Sequence, residues 1–257
     1  MKTLIVIPAR YGASRLPGKP LLDIGGDAMV VRVWRRCREV PGEVQVLVAT
    51  DDERILRCVE EAGGEAVMTS PGHRSGTDRV AEAAAGRECD LVINVQGDEP
   101  FIEPAAVEEL IDYFSGGGDA DAATLAAPVE NSAELFDPAV VKVLIGEGGR
   151  GVCFSRYPVP FSADMWEIDG RRWTGKVDGS RVKKYFKHLG IYAFRPAFLG
   201  TFTALEPTGG EEAERLEQLR MLEHGYRIHV AVTAGGGLGV DTAEDLERAR
   251  RRAGVKA

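Results

Sequence analysis

The sequence predicts an α/β fold, a mainly parallel sheet with helices on both faces. Three observations predict it. The runs TLIVIP, VQVLVAT and LVINVQ are short, continuous and apolar, as strands buried on both faces must be. Segments with helical spacing of apolar residues follow them. Glycine, proline and acidic residues punctuate the changeovers.

In order along the chain, TLIVIP is the first buried strand. After a basic loop, Asp27 is placed to cap a helix running to about Val40, with Met29, Val30, Val33, Trp34 and Cys37 on its apolar stripe. VQVLVAT (Val44 to Thr50) is the second strand. DDERILRCVEEAGG starts acidic and ends at Gly63 and Gly64, the polarity a short helix prefers. EAVM is a short strand, SGTDRVAEAAAG a loop entering a helix, LVINVQ a buried strand that ends in GDEP, and EPAAVEELIDYF a helix with proline in its first turn. The second half is less regular. VVKVLIG, GVCFSRY, YFKHLGIYAF and RIHVAV read as strands, and EEAERLEQLRMLEHG and TAEDLERARRRAG as helices. Residues 158–184 are rich in Gly, Pro and charge and read as a long loop or arm. With no repeat and no linker poor in apolar residues, the expectation is one domain over 1–257 with an inserted arm at about 155–190.

Composition narrows the function. The 257 residues are 44% hydrophobic and 28% charged, an ordinary globular profile. No apolar run approaches the roughly 18 residues that span a bilayer, and MKTLIVIPAR lacks the long apolar stretch of a signal peptide. The expected compartment is the cytoplasm, with no membrane insertion. A net charge of -8 argues against a general nucleic-acid binder, so any anion must be held by a local cluster of cations. The four cysteines form no C-x-x-C pair and are read as idle or buried thiols. None of the four histidines has metal-ligand spacing with another.

In open α/β sheets, ligands sit beyond the carboxyl ends of the strands. That rule selects the loops Pro8 to Pro20, Thr50 to Asp52 and Gly97 to Pro100. RYGASRLPGKP in the first carries Arg10, Arg15 and Lys19. It is not a P-loop. Five residues rather than four lie between Gly12 and Gly18, and Lys19 is followed by Pro20, which has no backbone donor and no hydroxyl for magnesium. What remains is a stiff loop whose cations suit phosphate oxygens, or else a solvated basic turn. Asp98 follows the strand LVINVQ, and Asp241 follows a glycine-rich run. Thr242 and Asp245 fit a capping box for the last helix, which leaves Asp241 for other work. If Asp98 and Asp241 meet, their repulsion favours a divalent cation, and hard oxygen ligands suit Mg²⁺. Ser75, Gly76 and Thr77 in HRSGTDR can present polar groups to the edge of a base, or can simply cap the next helix. His188 and Tyr192 are evenly spaced on one strand and so share a face.

IPARYGASRLPGKPLLDIGG, HRSGTDR, NVQGDEP, FSRYPVP, KHLGIYAF, LEQLRML and GVDTAEDLERAR occur in this order. Together they resemble the 3-deoxy-manno-octulosonate (Kdo) cytidylyltransferases, nearly from end to end. The basic loop alone is general to sugar nucleotidyltransferases; KHLGIY and LEQLR narrow it to this sugar acid. The resemblance implies a Rossmann-like sheet with a smaller dimerising arm, a homodimer, Mg²⁺ dependence, and a reaction of CTP with Kdo that gives CMP-Kdo and pyrophosphate for lipopolysaccharide synthesis. By motif, it implies that Arg10, Arg15 and Lys19 grip the CTP triphosphate with the Ala9 backbone near the nucleotide, and that Lys19, Arg10, Asp98 and Asp241 are the catalytic set. It implies further that Ser75, Gly76 and Thr77 face cytosine, that Asp98 and Asp241 bind Mg²⁺, and that Gln96, Arg156, His188, Tyr192, Glu214, Glu217 and Gln218 hold the sugar acid. Two departures stand out. Ala13 replaces a common serine, and residues 162–183, with Trp166 and Trp173, exceed the usual arm. The rival readings are a cytidylyltransferase for 8-amino Kdo or a sialic-acid-like sugar, and a nucleotide-binding regulator without turnover. Both aspartates argue against the regulator. A dehydrogenase is excluded because no G-x-G-x-x-G follows the first strand.

Overall fold

Among the residues that a computed structural model describes, 1–12, 16–161, 168–169, 172–173, 182, 184–234, 237 and 239–254, nine strands and nine helices can be followed. Leaving aside two-residue strands and 3-10 turns, they are β1 (Thr3–Ala9), α1 (Met29–Cys37), β2 (Val44–Thr50), α2 (Glu53–Glu61), β3 (Glu65–Met68), α3 (Gly76–Ala84), β4 (Leu91–Asn94) and α4 (Pro104–Ser115). There follow β5 (Ala122–Pro128), α5 (Ser132–Phe136), β6 (Lys142–Ile145), β7 (Gly151–Ser155), β8 (Phe186–Phe194), α6 (Pro196–Ala204), α7 (Gly209–Glu214), α8 (Gln218–Glu223), β9 (Ile228–Val232) and α9 (Ala243–Arg252). The expectations for Ala13, Arg15 and most of 162–183 lie outside the described residues.

The chain divides into two units. The first comprises Met1–Asp119, Gly190–Ala204 and Gly235–Ala257. In it β1 is central, parallel to β2 on one side and β4 on the other, and β3 extends β2 in parallel. Tyr192–Phe194 of β8 add an antiparallel stretch along β4. The order β3-β2-β1-β4 follows from the apolar content: every residue of β1 and β4 is buried, as a strand covered on both faces requires. It also fixes where a ligand can sit. Strand order reverses between β1 and β4, and their carboxyl ends open a crevice there.

The helix after the basic loop starts later than the sequence suggests. Asp27 does not cap it: Asp23–Ile24 and Asp27–Ala28 pair as a small hairpin through Gly25 and Gly26, and α1 begins at Met29 without a side-chain cap. Asp27 instead accepts a hydrogen bond from Arg35 Nη1 at 2.6 Å. The other expected caps form. Asp52 takes the Arg54 N–H at the start of α2, Pro104 opens α4, and capping boxes at Ser75/Asp78 and Thr242/Asp245 start α3 and α9.

The second unit comprises Ala120–Leu189 and Leu205–Ala234. It pairs β5 with β9 in parallel, and the start of β8 with β6 and β6 with β7 antiparallel. Val129, Leu135, Val182 and Tyr185 form a small apolar cluster. Two elements here were not legible as such. β5 is alanine-rich and carries only one β-branched residue, Thr124, so neither period nor propensity marks it. The helix expected over residues 211–225 is two, α7 and α8, broken where Arg215 takes a left-handed backbone (φ 54°, ψ 48°). The break has partners: Arg156 donates to the Glu214 and Arg215 carbonyls, and the Glu214 carboxylate accepts from Ser155 Oγ and Arg156 N. All four cysteines are free thiols, with Cys37 buried.

Candidate active site

The functional loops of the first unit share one apolar cluster. Ile24, Met29, Phe101, Val240, Leu246 and Ala249 are buried together, with Leu16 and Leu22 of the basic loop against them. These are near neighbours in sequence of Lys19, Asp98 and Asp241. Burying each large apolar side chain stabilises by about 1.5–3 kcal/mol, so packing rather than polar attraction assembles the loops. A backbone hydrogen bond of 2.9 Å from Val240 N to Asp98 O ties the two acidic loops directly.

That packing delivers three charges to one point. Lys19 Nζ stands 2.7 Å from Asp98 Oδ2 and 2.8 Å from Asp241 Oδ1, which places the two carboxylate oxygens no more than about 5.5 Å apart. Burial on its own would lower the Lys19 pKa, but the two carboxylates outweigh it and hold the ammonium above its ordinary value. Asp241 is available because Thr242 and Asp245 satisfy the helix start. Behind the pair lies Glu99, whose carboxyl is pushed up to about 8 by burial and by the charges of Asp98 and Asp241, with Lys19 opposing. Two glycines allow the approach. Gly18, beside Lys19, has φ 68° and lies against the Tyr11 ring, and a Cβ on Gly97 would sit 2.9 Å from Pro8 O.

Lys19, Asp98 and Asp241 line a cavity of about 400 Å³, within the range of small-molecule sites. Arg10, Ala9, Ser75, Gly76 and Gln96 line it too. Ser75 Oγ accepts from the Asp78 N–H, and Thr77 is buried, its hydroxyl accepting from Asn94 Nδ2 at 3.4 Å. Both hydroxyls thus accept a hydrogen bond that serves the fold. Gln96 donates to Asn94 Oδ1, extending the same chain of amides.

His73, Arg74 and Arg79 also line the cavity, and the motif reading passed over them. Their signal was the density of cations in HRSGTDR. Arg79 is 4% exposed and paired to Asp51 at 2.7 Å and to Thr69 Oγ1, so it fixes the end of β2. His73 is engaged with Glu82.

The expected sugar-acid residues Arg156, His188, Glu214, Glu217 and Gln218 belong to the second unit, Gln96 and Tyr192 to the first. Arg156 reaches the Pro138 carbonyl as well as those of Glu214 and Arg215, and Glu214 holds the end of β7. Glu217 lies 3.6 Å from Arg220. Gln218 is 5% exposed, and its buried Nε2 has no hydrogen-bond partner among the described residues, a donor that costs stability unless something accepts from it. His188 is neutral, its pKa lowered to about 3 by burial.

The donor set suits a divalent cation. A lysine ammonium sits where both carboxylates converge, so the pair already focuses on one positive charge. Among the described residues no cluster of three or more His, Cys, Asp or Glu could cage a metal. Two carboxylates with the remaining positions open is how Mg²⁺ is commonly bound beside phosphates.

The chain matches known proteins over nearly its whole length. Residues 4–228 match the family model for cytidylyltransferases. The chain is 45% identical to 3-deoxy-manno-octulosonate cytidylyltransferase of Idiomarina loihiensis, over 99% of each chain. It is 49% identical to the protein of the same name from Anaeromyxobacter sp. (strain K), over 96% of this chain and 95% of the relative. It is also 43% identical, over 98% of each, to 8-amino-3,8-dideoxy-manno-octulosonate cytidylyltransferase of a Shewanella strain. A solved structure of CMP:2-keto-3-deoxy-manno-octonic acid synthetase complexed with CTP superposes with a TM-score of 0.88 at 40% identity, covering 99% of each chain.

Proposed function

Because the chain belongs to the cytidylyltransferase family, we propose that it transfers CMP from CTP to 3-deoxy-manno-octulosonate, releasing pyrophosphate and supplying CMP-Kdo for lipopolysaccharide synthesis. The observation that carries this reading is the convergence of Lys19, Asp98 and Asp241 on one point of a cavity lined by Arg10 and Arg74, at the switch point of the sheet.

The anomeric oxygen of the sugar acid attacks the α-phosphorus. The bond from that phosphorus to the bridging oxygen breaks, pyrophosphate leaves, and the hydroxyl proton passes to solvent. Both substrates are anionic, so the protein's work is positioning and charge compensation. Arg10, Arg15 and Lys19, with the Ala9 backbone, grip the triphosphate, and the Ser75–Gly76 backbone with Thr77 lies at the cytosine. Asp98 and Asp241 hold Mg²⁺. When bound there, the ion supplies neutralising charge and lowers the pKa of the attacking hydroxyl. Gln96, Arg156, His188, Tyr192, Glu217 and Gln218 contact the sugar acid. For Glu214 the hydrogen bonds to Ser155 and Arg156 favour a supporting role behind Arg156. The enzyme works as a homodimer in the cytoplasm; no helix of the described residues is long and apolar enough to cross a membrane.

Substrate choice is tested by supplying CTP, UTP, GTP and ATP in turn with Kdo, 8-amino Kdo and a sialic acid. The reading expects the highest kcat/KM with CTP and Kdo. A preference for 8-amino Kdo would move the assignment to the relative from Shewanella, and equal use of all four nucleotides would refute it.

A further inference from the structure

Of the three loops at the carboxyl ends of the strands, Thr50 to Asp52 has no part in the chemistry proposed above. Arg54, just beyond it, reaches the basic loop. Its guanidinium lies over the Tyr11 ring, with Cζ 3.4 Å from the ring centroid. Asp52 holds that guanidinium at two points, Nε to Oδ1 at 2.9 Å and Nη2 to Oδ2 at 2.6 Å. Asp52 is itself fixed. It caps α2, and its own N–H donates to Oγ1 of the buried Thr50 at 3.2 Å. Next along the chain, the Asp51–Arg79 pair ties the end of β2 to α3.

Tyr11 forms the neck of the basic loop. Gly18 N donates to Tyr11 O at 3.2 Å, and a Cβ on Gly18 would stand 3.2–3.3 Å from the Tyr11 ring and hydroxyl. Arg10 precedes the neck and Lys19 follows it, and both line the cavity. The negative face of the ring attracts the cation, and a planar guanidinium held at two points has little freedom to turn. The Arg54 side chain does little else for the fold. It is 59% exposed, and the N–H that Asp52 caps is a backbone group that any residue but proline supplies there.

We propose that Arg54 is a positioning residue that acts through Tyr11. It fixes the neck of the basic loop, and with it the directions in which Arg10 and Lys19 leave the neck toward the triphosphate. This rests on the proposed grip of that loop on CTP. Arg54 touches neither substrate; its effect reaches CTP through the ring.

Calorimetric binding of CTP with Mg²⁺ and no sugar acid tests the proposal, beside KM for Kdo at saturating CTP and a thermal melt. Arg54→Ala keeps the cap on α2. It should weaken CTP about three- to fivefold, the scale of one exposed cation–π contact, with KM for Kdo and Tm unchanged. Tyr11→Leu should weaken CTP at least as much, and Tyr11→Phe, which keeps the ring face, should bind CTP as the native protein does. Adding Arg54→Ala to Tyr11→Leu should cost nothing further, because the arginine then has no ring to act on. Native CTP affinity in Arg54→Ala, or a loss that tracks a fall in Tm, overturns the positioning role. Losses that add in the double variant, or Tyr11→Phe as weak as Tyr11→Leu, overturn the route through the ring. Native protein that binds no CTP under these conditions overturns the grip of the loop on CTP, and this proposal with it.

Discussion

Replacing Asp98 by Asn removes one of the two carboxylates that focus on the Lys19 ammonium, and the structure sets the size of the effect. At 2.7 Å and an effective dielectric of 20, the gross attraction between the charges is about 6 kcal/mol. Desolvation takes back most of it, and a charged hydrogen bond in a partly buried setting is worth about 1.5–3 kcal/mol net. Asn can still accept from Lys19, and losing the repulsion from Asp241 offsets part of the cost. A stability loss of about 1–2 kcal/mol follows, a drop in Tm of a few degrees for a chain of this size. Turnover should fall far more, by roughly 10²–10³, the usual scale for removing one preorganised electrostatic group. Asp241→Asn makes the control. Its side chain is 65% exposed against 33% for Asp98, so its ion pair contributes at most about 1 kcal/mol, yet it should lose turnover to a similar degree. The assay is pyrophosphate release at saturating CTP and Kdo over a range of Mg²⁺, beside a thermal melt of each variant. Turnover within threefold of native in Asp98→Asn would refute the metal assignment. Turnover lost in Asp98→Asn but kept in Asp241→Asn would refute the pairing.

Lys19→Ala should raise KM for CTP at least tenfold more than KM for Kdo; equal losses would contradict its role at the triphosphate. Gly18→Ala forces a side chain into a left-handed backbone (φ 68°), where it meets the Tyr11 ring at 3.2–3.3 Å, so it should cost about 1–2 kcal/mol and weaken CTP more than Kdo. Native KM values there would show that the loop's shape is not set by that glycine. His188 holds its pKa near 3 in the folded protein against 6.5 ordinarily, so below pH 6.5 the unfolded chain takes up a proton that the folded one does not. Its contribution is complete above pH 6.5 and is lost as pH falls toward 3, at up to about 1.4 kcal/mol per pH unit. Urea unfolding from pH 7 to 4 should therefore fall less steeply in His188→Gln than in the native protein, and parallel curves would rule out a buried neutral imidazole.

Much of the first unit was legible because its strands are apolar runs and α2, α3 and α9 start on side-chain caps. β1, β2 and β4 could be read directly, as could the Thr242–Asp245 box that releases Asp241. The convergence on Lys19 was not legible: its partners lie 79 and 222 residues away in sequence, and only the cluster around Phe101 and Val240 brings them together. One side-chain role was misjudged where a residue type has two uses: Asp27 reads as a cap but serves an ion pair. In the second unit, β5 hides because alanine signals helix more than strand, and the break at Arg215 is imposed by Arg156 from 59 residues away.

Pyrophosphate release from CTP and Kdo with purified protein, followed first with Mg²⁺ and then with excess EDTA, decides whether the chain is a metal-dependent CMP transferase. Rapid release dependent on both substrates is expected, abolished by EDTA and restored by added Mg²⁺. No release with Kdo, or an undiminished rate in EDTA, would contradict it.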